Sequence, residues 1–138
     1  MKPKYALAWS FFLFSNMAFS QTLKQVEEIE SQYQNRLDTG IGMLGTSKDY
    51  FYAVDSLLNV AYKNLRNGMT SSQKEELKSE QLKWLKKRDA YFNEVKAEYD
   101  AMVKSDGWGH DMFMTVYQQE AEFVKERVLY LMKRMAAR

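Results

Sequence analysis

In 138 residues the chain has no cysteine, one proline, six glycines and one histidine. Without cysteine it has no disulfide, no thiol nucleophile and no residue to carry the lipid of a lipoprotein. The single proline, Pro3, stands at the very start, so no later residue forces a break through a missing N–H. A chain this poor in breakers, and rich in Lys, Glu, Gln, Leu and Met, reads as all-α. His110 has no second histidine or cysteine to complete a zinc-type ligand set, and Asp106 and Asp111 beside it border a Gly-Trp-Gly turn. No metal or other cofactor is expected. Glycine-rich phosphate loops, HExxH and GxSxG are missing too, so no catalytic residue is assigned and no enzyme is expected.

What is present suits one compact domain. Hydrophobic residues make up 46% and charged residues 28%, a globular balance rather than a disordered one. The first twenty residues have the pattern of an export signal. Met1-Lys2-Pro3-Lys4 is a positive start, Tyr5 to Phe19 is mostly apolar, and Ala18-Phe19-Ser20 offers small residues where a signal peptidase reads. Cleavage before Gln21 is expected, dividing the chain into a signal peptide (1–20) and a helical domain (21–138). A retained membrane anchor is the competing reading, but the apolar run is shorter than the ~20 residues a spanning helix needs. The mature protein is therefore expected in the periplasm or secreted, with no stable membrane anchor. Two of the 20 basic side chains lie in the leader, which leaves 18 against 18 acidic ones. The mature domain is then neutral, and a nucleic-acid partner is not expected.

Four helices follow from the apolar periodicity. Thr22 is the expected N-cap of the first, whose stripe runs Leu23, Val26, Ile29, Tyr33 and Leu37 before Asp38-Thr39-Gly40 ends it. Met43 and Leu44 should tuck inward from a loop, and Ser47 is the expected N-cap of the second helix. Phe51, Val54, Leu58, Ala61 and Leu65 make its stripe, and Asn67-Gly68 stops it. Thr70 and Gln73 have capping-box spacing at the head of a third helix without glycine or proline from Ser71 to about Lys104. At about 1.5 Å per residue that helix would be close to 50 Å long. Leu77, Gln81, Trp84, Arg88, Tyr91, Val95, Tyr99 and Met102 form its face. After Ser105-Asp106-Gly107-Trp108-Gly109, a last helix from about His110 carries Phe113, Val116, Glu120, Phe123, Arg127, Leu131 and Met135. The expected architecture is a four-helix bundle-like domain with a long third helix and a central antiparallel helical hairpin.

Polar residues interrupt the stripes of that hairpin. Asp55, Asn59 and Tyr62 stand at helical spacing on one arm, and Gln81, Trp84 and Arg88 on the other. Folding about Met69 sets Asn59 opposite the Glu80–Gln81 turn and Asp55 within a turn of Arg88. A buried Asp needs a partner, so the expected arrangement is a structural clasp. In it Asp55 pairs with Arg88, Asn59 with Gln81, and Arg88 stacks on Trp84.

The same residues carry a resemblance. Asp55-x-x-Leu58-Asn59-x-x-Tyr62 followed by Gln81-x-x-Trp84-x-x-x-Arg88-Asp89 resembles the LprI-like lysozyme-inhibitor family, small exported helical proteins with "LN..Y" and "Q..W...RD" elements, also described as a domain of unknown function. Arg127 and Leu131 resemble that family's C-terminal arginine and leucine. The resemblance implies a non-enzymatic envelope protein whose partner is a lysozyme-type enzyme. Two departures stand out. Where such proteins commonly carry paired cysteines, this chain has residues near Thr46 and Phe92, which implies that packing by Phe51, Tyr91 and Phe92 replaces a crosslink. The lipidation cysteine of the family's namesake is also missing, which implies a soluble rather than tethered protein.

Lys83 to Arg88 is a basic run read as the wet side of the third helix, and Glu120 and Glu122 read as solvated or paired helix charges. Trp108 and His110, in a glycine-flanked loop, are the candidate partner-binding residues, with packing of Trp108 back onto the bundle as the alternative. The leading expectation is a lysozyme inhibitor acting through the Gly40–Ser47 and Ser105–Asp111 loops. The alternative is a periplasmic structural or adaptor module whose partner is another envelope protein. The long third helix leaves a homodimer open.

Overall fold

The structure, a computed structural model, describes residues 6–137, with side chains from Ser20 onward. The basic start at Lys2 and Lys4 lies outside the described residues, as do the side chains of the apolar run to Phe19. The elements are α1 (Ala6–Leu37), α2 (Met43–Arg66), α3 (Ser71–Asp106), a 3-10 turn (His110–Phe113) and α4 (Met114–Ala136). No strand occurs among the described residues, and no helix there is long and apolar enough to cross a membrane.

Several boundaries fall where the local chemistry sets them. Thr70 caps α3 with the full reciprocal pair, its hydroxyl accepting from the Gln73 N–H and the Gln73 side chain accepting from the Thr70 N–H. Gly68, at φ 80°, follows the end of α2 in the left-handed region that favours glycine. Two expected caps are corrected. Thr22 is buried inside α1, which runs unbroken through Gln21. α2 starts a turn earlier than expected, with left-handed Gly42 as its N-cap, so Ser47 lies inside the helix. Tertiary packing accounts for that shift. Thr46 and Ser47 are buried against α1, and the Ser47 hydroxyl lies 3.3 Å from the Tyr33 hydroxyl. Met43, expected to tuck inward, is instead among the exposed large apolar residues.

The chain runs up and down four times, and cross-helix contacts fix that order. Phe51 meets Phe92 edge-on across α2 and α3, with centroids 5.8 Å apart. Tyr91 stacks on Phe123 across α3 and α4 at 4.6 Å. The α1–α2 and α3–α4 connections consequently lie at one end of the bundle. α2 packs most extensively on α4, with α1 laid over both, and the fully buried Leu65, Val124, Val128 and Leu131 occupy this core. Each such aliphatic side chain contributes roughly 2 kcal/mol of burial free energy.

α3 is set apart. Its 36 residues span roughly 54 Å, yet Leu77 and Val95 are its only buried side chains. It rests on α4 and touches α2 little, so the expected hairpin is present in topology but splayed in packing. Its face otherwise follows the spacing, apart from Met102, which is exposed. α4 is preceded by the 3-10 turn, so the helical stretch opens at His110 but becomes α-helical only at Met114.

Candidate functional site: the groove between α2 and α3

The splay between α2 and α3 opens a groove of about 270 Å³. From α2 it is lined by Asp55, Leu58, Asn59 and Tyr62, and from α3 by Lys78, Gln81, Leu82, Leu85 and Arg88. Six of the motif residues singled out in the sequence, Asp55, Leu58, Asn59, Tyr62, Gln81 and Arg88, thus share one surface, in the register expected from folding about Met69, while Trp84 stacks on Phe123 of α4 and Asp89 lies outside the lining.

Their pairing is different. Arg88 does not bond Asp55; its guanidinium donates to the neighbouring Asp89, with Nη2 at 2.7 Å and Nε at 3.0 Å. Asn59 donates its amide to the Asp55 backbone carbonyl at 3.4 Å rather than to Gln81. The physical reason is the distance between the helices: with α2 and α3 apart, short Asp and Asn side chains do not span the gap. The expected stacking is present, with the Arg88 guanidinium 5.9 Å from the Trp84 ring and 5.6 Å from that of Phe92.

A clasp does exist, between α3 and α4, and Arg127 is its hub. Arg127 is only 7% exposed. Its Nε and Nη2 both donate to Gln81 Oε1, at 3.1 and 2.9 Å, and its Nη1 lies 2.7 Å from Glu80 Oε1. Arg134 donates to the other Glu80 oxygen at 2.5 Å. The Arg127 guanidinium also sits 5.7 Å from the Trp84 ring and 4.9 Å from that of Tyr130. Burial alone would raise the Glu80 pKa, but Arg127 and Arg134 outweigh it and hold the carboxyl below its ordinary value.

Further along the same seam, Glu120 follows the paired one of its two readings and not the solvated one, facing Lys96. It is 3% exposed, and burial pushes its carboxyl above the usual range against the pull of Lys96 and Arg88. Its Oε1 accepts no well-aligned hydrogen bond, and the Lys96 ammonium stands 3.6 Å away. Glu122 is paired, as one of the two readings had it. It accepts from the Tyr50 hydroxyl at 3.0 Å and from Lys125 at 2.6 Å, and Lys125 also reaches Glu30 at 2.5 Å. Burial, reinforced by Glu122, holds the Tyr50 hydroxyl protonated well above its ordinary pKa. For Lys125 burial acts downward, but its carboxylate partners outweigh it and raise the pKa. This network ties α1, α2 and α4 together, and no local sequence signal marks it.

The loop residues separate. Trp108 is half-buried and meets Tyr99 edge-on at 6.5 Å, while the Tyr99 hydroxyl donates to the Gly109 carbonyl at 3.2 Å. Trp108 therefore packs back on the bundle, and His110 stays exposed in the 3-10 turn. At the same end of the bundle, Ile41 is 79% exposed between Gly40 and Gly42. It lies in the Gly40–Ser47 loop expected from the sequence but was not singled out there, although an apolar residue between two glycines was the signal already used for Trp108. Lys83, Lys86 and Lys87 face solvent, as expected. Among the described residues no group of three or more His, Asp or Glu side chains stands close enough to hold a metal ion.

No curated protein and no solved structure matches this chain. A family model described as "Lysozyme inhibitor LprI" matches residues 31–131, a span that takes in the groove, the Arg127 clasp and both connections at the Ile41 end. On that match, covering most of its length, the chain belongs to the LprI lysozyme-inhibitor family.

Proposed function

We propose that this chain is an exported, non-enzymatic inhibitor of a lysozyme-type muramidase, acting by insertion of loop side chains into the enzyme's cleft. The observation that carries the reading is the family match over residues 31–131. The leader at residues 1–20 supports export, and cleavage before Gln21 would place the protein where such enzymes act.

The loop end of the bundle supports the mode of inhibition. Muramidases of this type hold their substrate in a cleft flanked by two carboxyl groups, and a narrow projection can block it. The turn from Thr39 to Gly42 is such a projection. The Thr39 hydroxyl donates to the Arg36 carbonyl at 2.7 Å, the Ile41 N–H donates to the Thr39 hydroxyl oxygen at 3.3 Å, and Arg36 pairs with Asp49 at 2.8 Å. A turn ordered before binding loses less entropy on docking. The sequence placed the inserting residues at Gly40–Ser47 and Ser105–Asp111. With Met43 to Ser47 helical and Trp108 packed inward, Ile41 takes the anchor role.

The test titrates purified residues 21–138 into a c-type lysozyme while the clearing of cell-wall suspensions is followed. Stoichiometric loss of clearing is expected. Full clearing at large molar excess would remove this enzyme class as the target and favour the adaptor reading.

A further inference from the structure

Inhibition through the loop end leaves the groove between α2 and α3 without a role, and the groove's chemistry is selective. Its polar groups are of both kinds. Asp55 and the Asn59 carbonyl oxygen accept hydrogen bonds; the Gln81 amide, Lys78 and Arg88 donate them. Among the described residues the Asp55 carboxylate has no hydrogen-bond or ion-pair partner. Charges of opposite sign line the same walls, so neither a simple anion nor a cation is favoured.

The backbone offers nothing to a ligand here. Residues 55–62 and 78–88 lie inside helices, where N–H and C=O groups are already paired. An extended peptide would find no strand edge to join, and a helical peptide needs a continuous apolar trough, which Asp55, Asn59 and Gln81 interrupt. The ligand that fits carries hydroxyl and amide groups toward planar polar side chains and lays its C–H faces on apolar ones. Leu82, Leu85 and the Tyr62 ring supply those faces, with Leu58 at the floor. A volume of about 270 Å³, open along one side, suits a disaccharide unit of a longer chain.

We propose that this groove binds an oligosaccharide of N-acetylated amino sugars. The saccharide class rests on the groove alone. The choice of amino sugar rests on the muramidase reading, because that glycan is such an enzyme's substrate. Bound to it, the protein would be held on the polymer its target attacks.

The experiment titrates chitotetraose into the intact purified protein by calorimetry with no enzyme present, and cellotetraose in parallel. Saturable chitotetraose binding is expected, weakened about tenfold or more in Asp55→Ala and in Asn59→Ala. Neither side chain belongs to the core, so circular dichroism and melting should be unchanged in both. No saturable binding, or equal binding by both variants, overturns the site. Cellotetraose bound as tightly as chitotetraose overturns the amino-sugar assignment. A stem tetrapeptide bound in place of either sugar overturns the saccharide class. Failure here leaves lysozyme inhibition untouched, and failure of inhibition leaves the saccharide measurement standing.

Discussion

Arg127 of α4 donates two hydrogen bonds, at 3.1 and 2.9 Å, to the side-chain oxygen of Gln81 on α3. With Glu80 at 2.7 Å on its third nitrogen, this one side chain holds a helix that buries only Leu77 and Val95 of its own. Removing it should be severe. Arg127→Met leaves the Glu80 carboxylate with Arg134 as its one remaining close cation and Gln81 without a donor, and should lower stability by about 2–3 kcal/mol. Urea denaturation measures the loss. Because α3 rests on α4, the loss should be accompanied by faster amide exchange in α3 than in α2. A variant as stable as the parent would mean that packing of the aromatic seam alone fixes α3.

The groove residues should behave in the opposite way. Asp55→Asn and Arg88→Met each alter a groove wall without breaking an inter-helix bond, since Arg88 bonds only its neighbour Asp89 and the Asp55 carboxylate has no partner among the described residues. Each is expected to change stability by no more than about 0.5 kcal/mol, with the Met stem keeping contact with Trp84 and Phe92. A loss several times larger in both variants would restore the Asp55–Arg88 clasp expected from the sequence.

That contrast shows what can be read from residues alone. Helix number, the Thr70–Gln73 cap, the stop at Asn67-Gly68 and the register that brings Asn59 and Gln81 to one groove all follow from local spacing. The pairing of those residues does not, because it depends on how far α2 and α3 stand apart. Local rules place Arg88 four residues after Trp84, and the stacking is there. The guanidinium that reaches Gln81, however, comes from Arg127, forty-six residues away. The start of α2 escaped for a related reason: Ser47 is a good cap by composition, but burial against Tyr33 draws it into the helix.

The two carboxyls of the α3–α4 seam, partly exposed Glu80 and buried Glu120, should give opposite pH dependences. Glu80 has a folded pKa below its unfolded value of ~4.3. Its contribution is complete above that value and is lost as pH falls through the folded pKa. Glu120 has its pKa raised by burial, so its contribution is present below the unfolded value and is lost as pH rises through the folded one. Glu120→Gln should therefore be more stable than the parent at neutral pH, with the gap closing in mild acid. Glu80→Gln should be less stable at neutral pH, also converging in acid. Denaturation curves across this range measure both. A Glu120→Gln variant less stable at neutral pH would show that the Lys96 pairing outweighs the burial of the charge.

Ile41 separates inhibition from stability most cleanly. It is 79% exposed, so Ile41→Asp removes little buried surface and should leave the melting point unchanged. In the inserted state the same carboxylate would be carried into a cleft that already holds two carboxyl groups, where a like charge is unfavourable. Inhibition of c-type lysozyme should fall by about a hundredfold or more, as for loss of a central anchor worth ~3 kcal/mol. Trp108→Ala is the matching control. Its ring packs on Tyr99, so it should lower stability while changing inhibition much less than Ile41→Asp. If Ile41→Asp inhibits as well as the parent and Trp108→Ala does not, the inserted loop is the α3–α4 connection, the second of the two loops expected from the sequence.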